Sequence, residues 1–133
     1  DNPKLNCRIE GFKKFSPKRI ILDNYLQTKK TSYIYRTANQ INTIIFYKNA
    51  DKKKILLFKK KGINLIKSKI INNRDFDIKS IFMKLYDLGC RNLLIEGGNE
   101  LSKTILNKKL FNEFYLFPLM SYLLIIKIKI IQN

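Results

Sequence analysis

Glu96-Gly97-Gly98-Asn99 is the stretch of this chain with the clearest potential for chemistry. It follows an apolar run that predicts a buried strand, so the Glu96 carboxylate is expected at the carboxyl edge of a sheet, where open α/β proteins bind ligands. The glycines let a backbone approach a ligand, and the helix predicted next offers free N–H groups to phosphate. Asn99, Ser102 and Thr104 add side-chain donors. The alternative is a tight strand-to-helix turn that needs glycine only for steric reasons.

Arg8 closes the second stretch of interest, Asp1-Asn2-Pro3-Lys4-Leu5-Asn6-Cys7-Arg8. Pro3 holds the preceding residue extended and predicts a turn at this point. Arginine is scarce, with 5 residues against 22 lysines. Its guanidinium is the group that grips phosphate or carboxylate through two hydrogen bonds. On residue chemistry alone, a solvated arginine without a fixed partner is the better explanation of this position.

The chain contains no histidine, and this removes several mechanisms. A Ser-His-Asp triad, a Cys-His pair and an imidazole general base all require that residue. Mixed Cys/His zinc sites are excluded too, and Cys7 and Cys90 lie too far apart for a Cys-x-x-Cys motif. We therefore predict no metal site, interpret both cysteines as reduced apolar fillers, and assign no catalytic proton donor.

The net charge of +17, from 27 Lys+Arg against 10 Asp+Glu, suggests nucleic-acid binding at first. Lysine, isoleucine and asparagine dominate the composition, however, and these are the residues that AT-rich codons supply. The lysines are scattered, and neither a zinc-finger spacing nor an aromatic RNA-recognition signature is present. Non-specific binding of nucleic acid by a lysine-rich module is therefore kept as the alternative function.

The spacing of apolar residues predicts the helices and strands that position these side chains. Strand-length apolar runs alternate with turn signals and helical patterns, which is typical of an α/β fold with a layered, mostly parallel sheet and flanking helices. Asn92 to Ile95 is so apolar that it predicts a central strand buried on both faces. Strands are predicted at 19–22, 32–35, 43–47, 63–66, 92–95 and 114–119, helices at 77–89 and after Asn99, and 54–58 fits either.

No membrane segment is predicted. The longest uncharged stretch, 114–126, is interrupted by Pro118 and is shorter than the roughly 18 residues that a spanning helix needs. No signal peptide is recognisable. With 45% hydrophobic residues the chain can build a core, so we expect a soluble cytoplasmic protein.

Taken in order, several motifs resemble the C-terminal reductase domain of the bacterial bifunctional riboflavin-biosynthesis deaminase/reductase. They begin with Asp1-Asn2-Pro3, Leu5 and Arg8, continue with Pro17 to Asp23, and include the predicted helix Asp77 to Gly89. The strand Asn92 to Glu96 with Gly97-Gly98 follows, and Leu110-Phe111-Asn112-Glu113 is similar to the family's Leu-Val-Asp-Glu. The resemblance covers about residues 1–118.

The resemblance implies a dihydrofolate-reductase-like α/β fold and the NADPH-dependent reduction of a phosphorylated ribosylaminopyrimidine to its open-chain ribityl form. Leu5, Arg8 and Glu96 would contact this substrate, with Arg8 near its phosphate. Cofactor contacts would come from Asp1, Asn24, Gly98, Asn99, Glu100, Leu101, Ser102, Lys103 and Thr104. NADPH carries the hydride, so the protein's share is positioning.

The resemblance also sets expectations about extent and partners. The family domain has a first strand and helix before Asp-x-Pro, so the fold is expected to be incomplete at its N-terminus. Residues 119–133 read as a divergent low-complexity tail behind a partial reductase-like domain at 1–118. The family is a homodimer with a deaminase domain fused upstream. An inactive remnant that folds only in part is a further alternative.

Overall fold

The computed structural model describes residues 2–39, 41–72, 75–96, 98–117 and 123–130 of the chain. The chain divides into two compact units, which we call unit 1 (residues 1–77) and unit 2 (residues 78–133). Within the described ranges, no helix is both long and apolar enough to cross a membrane.

Unit 1 is built on a parallel sheet of three strands in the order β1-β2-β3. The register places Ile45 opposite both Ile21 and Leu65. Helices alternate with these strands along the chain, as parallel connections require. The elements are a short 3-10 helix (Lys13–Phe15), β1 (Arg19–Leu22), α1 (Tyr33–Arg36), β2 (Thr43–Tyr47), α2 (Lys52–Lys60), β3 (Asn64–Lys67), and the antiparallel pair β4 (Ile70–Ile71) and β5 (Asp75–Phe76).

The core of unit 1 forms around its middle strand. All five residues of β2 are buried, and Ile45 is completely inaccessible. Tyr35 of α1 and Phe58 of α2 belong to the same cluster, with ring centroids 5.1 Å apart and planes at 79°. Edge-to-face aromatic pairs of this kind add to the stabilisation that comes from burying their area. The apolar run of β2 thus places the most protected backbone in the middle of the sheet.

A buried arginine fixes the amino end of β1. The Arg19 guanidinium donates to Thr37 Oγ1 at 2.7 Å, Thr37 O at 3.0 Å, Asn42 Oδ1 at 3.1 Å and Thr43 Oγ1 at 2.9 Å. These acceptors are neutral, and burial lowers the pKa of Arg19 from its ordinary value. Hydrogen bonds to neutral oxygens therefore hold this cation and tie β1 to the end of α1 and the turn before β2.

Two sequence expectations in unit 1 are resolved by helix caps. The strand predicted at 32–35 is wrong, because Ser32 caps α1 and its hydroxyl accepts a hydrogen bond from Tyr35 N at 3.2 Å. The ambiguous segment 54–58 belongs to α2, which begins where Asp51 Oδ1 accepts from Lys54 N at 2.8 Å. In both places a capping side chain decides the local structure.

Unit 2 contains an antiparallel sheet in the order β6-β8-β7. The last strand in sequence is therefore the middle one in space. Ile126, Ile128 and Ile130 are 0%, 4% and 7% exposed, whereas the lysines between them are exposed. The elements are α3 (Ile78–Asp87), β6 (Asn92–Glu96), α4 (Asn99–Asn107), β7 (Glu113–Phe117) and β8 (Leu123–Lys129).

The prediction that 92–95 is a central strand buried on both faces is wrong. Among the described residues, β6 lies at one end of its sheet, and Leu94 is 63% exposed. The physical reason is that β8 takes the middle position, with Leu93 opposite Ile128 and Ile95 opposite Ile126. Residues 123–129, within the segment interpreted as a low-complexity tail, thus form an ordered strand of period two.

The predicted α/β class is confirmed by the parallel sheet of unit 1 and the helices that alternate with strands. The helix predicted from Asp77 is present as α3, and Gly89 follows it with φ +84°, as expected for a C-terminal cap. The helix predicted after the glycine pair is α4. Two loops matter for the site: the one after β1, and the junction between β6 and α4.

Candidate functional site

Asp23 shapes the loop at the carboxyl end of β1. Its side chain is 9% exposed, and its carboxylate accepts from Gln27 N at 2.8 Å, Thr28 N at 2.7 Å and Thr28 Oγ1 at 2.7 Å. Such bonds from a carboxylate to nearby backbone N–H groups form a turn. Leu26, in the middle of this turn, is 2% exposed and has φ +53°. The loop is therefore held in one shape.

Asn24, a predicted cofactor contact, follows directly at this edge. Its carbonyl oxygen accepts from Lys48 N at 3.0 Å and from Asn49 N at 3.1 Å. These bonds join the carboxyl ends of β1 and β2. The half-buried Asn24 side chain thus stands on a rigid part of the sheet edge, and its contact with a cofactor stays a prediction.

The segment 2–8 carries the predicted substrate contacts of unit 1. Asn2 anchors it, because Asn2 Oδ1 accepts from Tyr33 N, the first residue of α1, at 2.8 Å. Leu5 is half-buried with φ +47°. Arg8 is exposed and makes no ion pair with any described residue, so its guanidinium is available to a ligand. Asp1 lies outside the described residues.

A cleft of about 710 Å³ lies beside this segment. One wall comes from the segment itself and the other from the loop between β1 and α1. Hydrogen bonds fix both walls, because Thr28 N donates to the Asp23 carboxylate and Tyr33 N donates to Asn2 Oδ1. The lining residues are Asn2, Pro3, Thr28, Lys29, Thr31, Ser32 and Ile34. The lining is mostly polar, with Pro3 and Ile34 as its apolar members.

In unit 2, Glu96 is the last residue of β6 and is exposed. The register places it opposite Ile125, which in turn lies opposite Tyr115. Because directly opposed residues share a face, these side chains form one row across the sheet. The Glu96 carboxylate is thus presented at the strand end, as the sequence predicts.

A second carboxylate lies on the same face. Glu113 accepts from Tyr115 Oη at 2.5 Å and from Lys127 Nζ at 3.0 Å. The Tyr115 hydrogen bond and, after it, Lys127 lower the pKa of Glu113. The same bond raises the pKa of Tyr115. Glu113 is therefore a charged, partnered group.

Gly98 starts α4 and leaves its N-terminus open. It has φ −68° and ψ 170°, an extended conformation, and no side chain caps the helix. A Cβ added at Gly98 would meet no atom within 4 Å. Packing in unit 2 therefore does not require a glycine here. The first-turn N–H groups lack intrahelical partners and are the kind of donors that bind anions. Gly97 lies outside the described residues.

The side chains of the first turns of α4 differ in their availability. Ser102 is 5% exposed, and the Thr104 hydroxyl donates to Glu100 O at 2.9 Å within the helix. Lys103 and Glu100 are exposed and form a loose pair at 4.0 Å. Asn99 is exposed and Leu101 half-buried. The first-turn backbone and the side chains of Asn99, Glu100 and Lys103 are thus the accessible groups.

The candidate residues are distributed over both units. Unit 1 holds Leu5, Arg8 and Asn24, and unit 2 holds Glu96 and the residues 98–104. Sequence reasoning missed Asn2, Asp23 and Thr28 as parts of the site. The sequence carries no clear signal for Asp23, because its partners Gln27 and Thr28 lie four and five residues on, beyond the two-residue reach of an ordinary Asx turn. Across the described ranges, no cluster of acidic or sulfur ligands could hold a metal ion.

Unit 1 is an α/β unit with polar groups at the carboxyl ends of its parallel strands, and unit 2 carries an exposed carboxylate at the end of β6 and an open helix N-terminus at Gly98. The chain matches the family model of the RibD C-terminal domain over residues 1–120, and it belongs to that family. The resemblance expected from the ordered motifs is thereby confirmed. Strand β8 lies beyond the matched residues.

Two relatives carry the name riboflavin biosynthesis protein RibD. The protein of Actinobacillus pleuropneumoniae is 31% identical over 117 residues, which is 88% of this chain and 30% of the relative. The protein of Aquifex aeolicus (strain VF5) is 29% identical over 117 residues, which is 88% of this chain and 31% of the relative. The chain thus spans less than a third of the length of these relatives.

Proposed function

We propose that this chain acts in riboflavin biosynthesis as the reductase part of a RibD protein. The reaction is the NADPH-dependent reduction of the ribosyl group of 5-amino-6-(5-phosphoribosylamino)uracil to the ribityl form. The observation that carries the proposal is the family match, which spans both the segment 2–8 and the β6–α4 junction.

The residues present fit a phosphorylated nucleotide cofactor. The open N-terminus of α4, with Gly98 in front of it, suits a phosphate because its N–H groups are unpaired within the helix and its dipole is positive at this end. Lys103 adds a positive charge in the second turn. Asn24 offers an amide at the edge of the parallel sheet. When bound, NADPH supplies the hydride, and the protein's residues bind and orient.

The substrate contacts follow from charge and exposure. Arg8 grips the phosphate of the substrate with its planar guanidinium. Leu5 offers an apolar contact, and Glu96 accepts hydrogen bonds from N–H or O–H groups of the substrate. In this proposal the protein works in the bacterial cytoplasm as a homodimer, with a deaminase domain fused upstream.

The decisive experiment measures binding of NADPH by its fluorescence and substrate-dependent oxidation of NADPH by its absorbance. Arg8→Ala should weaken substrate binding by about 1.5–3 kcal/mol, the cost of a lost charge-assisted hydrogen bond. Arg36→Ala removes another exposed arginine and should change nothing. Glu96→Gln should lower turnover, with Glu10→Gln as its exposed control.

Two results would contradict the proposal. One is a folded protein that shows neither saturable NADPH binding nor turnover. The other is equal substrate affinity in Arg8→Ala and the parent chain. Binding to nucleic acid that falls steeply with salt, with no dependence on Glu96, would instead support the lysine-rich binding module.

A further inference from the structure

Asn6 carries an unsatisfied acceptor in the segment that links the cleft to Arg8. Its side-chain oxygen, Oδ1, is shielded from solvent and has no hydrogen-bond partner among the described residues. Nearly all buried polar atoms in folded proteins find a partner, so each exception calls for a physical explanation. A ligand that supplies the missing partner is one such explanation.

The surroundings of Asn6 show that its amide is only loosely held. Asn6 Nδ2 donates to Tyr33 Oη at 3.4 Å, which is long for such a bond. The residue as a whole is half-buried, and a ligand can reach the shielded oxygen only if the side chain rotates and breaks this one long contact. Tyr33 itself is fixed, because its N–H is bound by Asn2. Ligand binding would therefore rearrange the Asn6 side chain and leave Tyr33 in place.

The backbone next to Asn6 is strained. Leu5 has φ +47°, in the left-handed region that residues with a Cβ rarely adopt. Strain of this kind persists where the surrounding structure imposes it and is concentrated at ligand sites. Here it lies immediately before the unsatisfied amide. The backbone strain of Leu5 and the unsatisfied acceptor of Asn6 thus each lower the stability of the free protein.

We infer that Asn6 is a substrate-recognition residue that binds the lactam edge of the pyrimidine ring, accepting its N–H at Oδ1 and donating from Nδ2 to the adjacent carbonyl. The inference rests on the proposed function, which makes a ribosylaminouracil the substrate. A primary amide and a ring lactam each carry one donor beside one acceptor, so they pair through two hydrogen bonds. Once rotated away from Tyr33, the Asn6 amide presents both atoms of this pair to the lactam.

The test replaces Asn6 by leucine, which has a similar size and no polar atom. Substrate affinity is measured by calorimetry with NADP⁺ present, so that no turnover occurs. Asn6→Leu should weaken binding of 5-amino-6-(5-phosphoribosylamino)uracil about tenfold, equivalent to about 1.4 kcal/mol. The thermal midpoint should stay the same or rise, because the unsatisfied oxygen is gone. Asn107→Leu, an exposed change at the end of α4, is the matched control.

A change in the substrate supplies the second arm. Methylation at N3 of the uracil removes the lactam donor and should weaken binding to the parent chain about tenfold. In Asn6→Leu the methyl group should have little further effect, because the interaction is already lost. Asn6→Ala repeats the cycle if the leucine variant fails to fold. The non-additive cycle is a signature that a merely structural asparagine would not produce.

Each outcome decides between the hypotheses. Equal substrate affinity in Asn6→Leu and the parent chain overturns the recognition role and leaves the reductase proposal intact. An additive effect of the methyl group, with a lowered thermal midpoint, makes Asn6 a structural residue and also overturns the role. If the parent chain binds NADP⁺ but not the substrate, the reductase proposal fails and this inference fails with it.

Discussion

The sheets of the two units bury similar apolar sequences in different ways. In unit 1 the middle strand β2 is buried along its whole length, between two parallel neighbours. In unit 2 the middle strand β8 alternates over residues 126–129, with Ile126 and Ile128 buried and Lys127 and Lys129 exposed. A continuous apolar run is typical of a parallel sheet that is covered on both faces. Alternation of apolar and polar residues is typical of an antiparallel sheet with one face exposed to solvent.

The two units also build their candidate sites differently. Unit 1 uses side chains that the fold holds in place, such as the Asp23 carboxylate with its three hydrogen bonds. Unit 2 uses backbone, since Gly98 opens the first turn of α4 without a capping side chain. Substitution of Asp23 in unit 1 should therefore disturb both stability and binding, whereas substitutions at the start of α4 should mainly affect binding.

The largest expected effect tests the comparison of the two sheets. Ile45→Ala in β2 and Ile126→Ala in β8 each remove a side chain that is 0% exposed. Each should lower the free energy of unfolding by about 2–5 kcal/mol, from lost burial and the cavity left behind. Urea unfolding measures the loss. Hydrogen exchange should show reduced protection in β1–β3 for the first variant and in β6–β8 for the second.

Ile41→Ala is the control for this pair, because Ile41 is 79% exposed. Its effect should be within about 0.5 kcal/mol of zero. If Ile126→Ala behaved like Ile41→Ala, β8 would not be part of the core of unit 2.

Much of the fold could be predicted because local patterns and packing agree. The period of Ile78, Ile81 and Leu85 identified α3, and all are buried. The predictions that failed depended on partners remote in sequence. Leu94 belongs to a run as apolar as β2, but its strand lies at the end of the sheet because β8 enters beside it. Composition hid β8, since alternating isoleucine and lysine reads equally as low complexity and as a strand with one open face.

The positions of the candidate residues in the fold were predictable to a similar degree, whereas their binding roles stay predictions. Glu96 and Gly98 lie at the end of β6 and the start of α4, as the sequence predicts. What sequence could not supply was the long-range pairing of Asn2 with Tyr33, which are 31 residues apart. The unsatisfied oxygen of Asn6 could not be predicted either, because the sequence does not show which buried polar atoms lack a hydrogen-bond partner in the folded chain.

The next effect concerns the site of unit 1. Asp23→Ala removes the acceptor for Gln27 N, Thr28 N and Thr28 Oγ1. The free energy of unfolding should fall by about 1.5–3 kcal/mol, the range for hydrogen bonds to a charged group. NADPH affinity should fall as well, because the loop that follows Asn24 loses its shape. Urea unfolding and fluorescence titration measure the two effects.

Asp51→Ala provides a matched comparison for Asp23→Ala. Asp51 is exposed and accepts one hydrogen bond, from Lys54 N. Losing this helix cap should cost about 1 kcal/mol. Equal losses for the two variants would mean that the Asp23 turn is no more than an ordinary cap.

A smaller effect is expected at the α4 start in unit 2. Gly98→Ala adds a Cβ that meets open space, at a φ of −68° that alanine accepts. The free energy of unfolding should change by about 1 kcal/mol or less, since alanine is a poorer helix cap than glycine. NADPH binding should weaken, because the methyl group stands where the phosphate approaches. A destabilised protein with unchanged NADPH affinity would place the cofactor elsewhere.

The smallest effect concerns the exposed face of the unit 2 sheet, which carries Glu113, Tyr115 and Lys127. Glu113 has a lowered pKa, first because of the hydrogen bond from Tyr115 and then because of Lys127. Tyr115→Phe should therefore raise the pKa of Glu113 toward its ordinary value, as followed by carbon-detected NMR titration. Lys127→Met should raise it as well, because both the hydrogen bond and the charge of Lys127 lower this pKa. Salt should weaken the Lys127 contribution and leave that of the Tyr115 hydrogen bond in place, because ions screen charge pairs at the surface.

The sign of the pH dependence follows from these shifts. A carboxyl whose pKa is lowered by folding contributes stability above its unfolded pKa and loses it as the pH falls through the folded value. Tyr115 and Lys127 have raised pKa values, so their contributions are present below the unfolded values and are lost at high pH. In the parent chain, the contribution of Glu113, Tyr115 and Lys127 to the free energy of unfolding should therefore fall at both low and high pH. In Tyr115→Phe the loss of stability at low pH should be smaller. An unchanged loss at low pH would show that the hydrogen bond to Glu113 does not persist in solution.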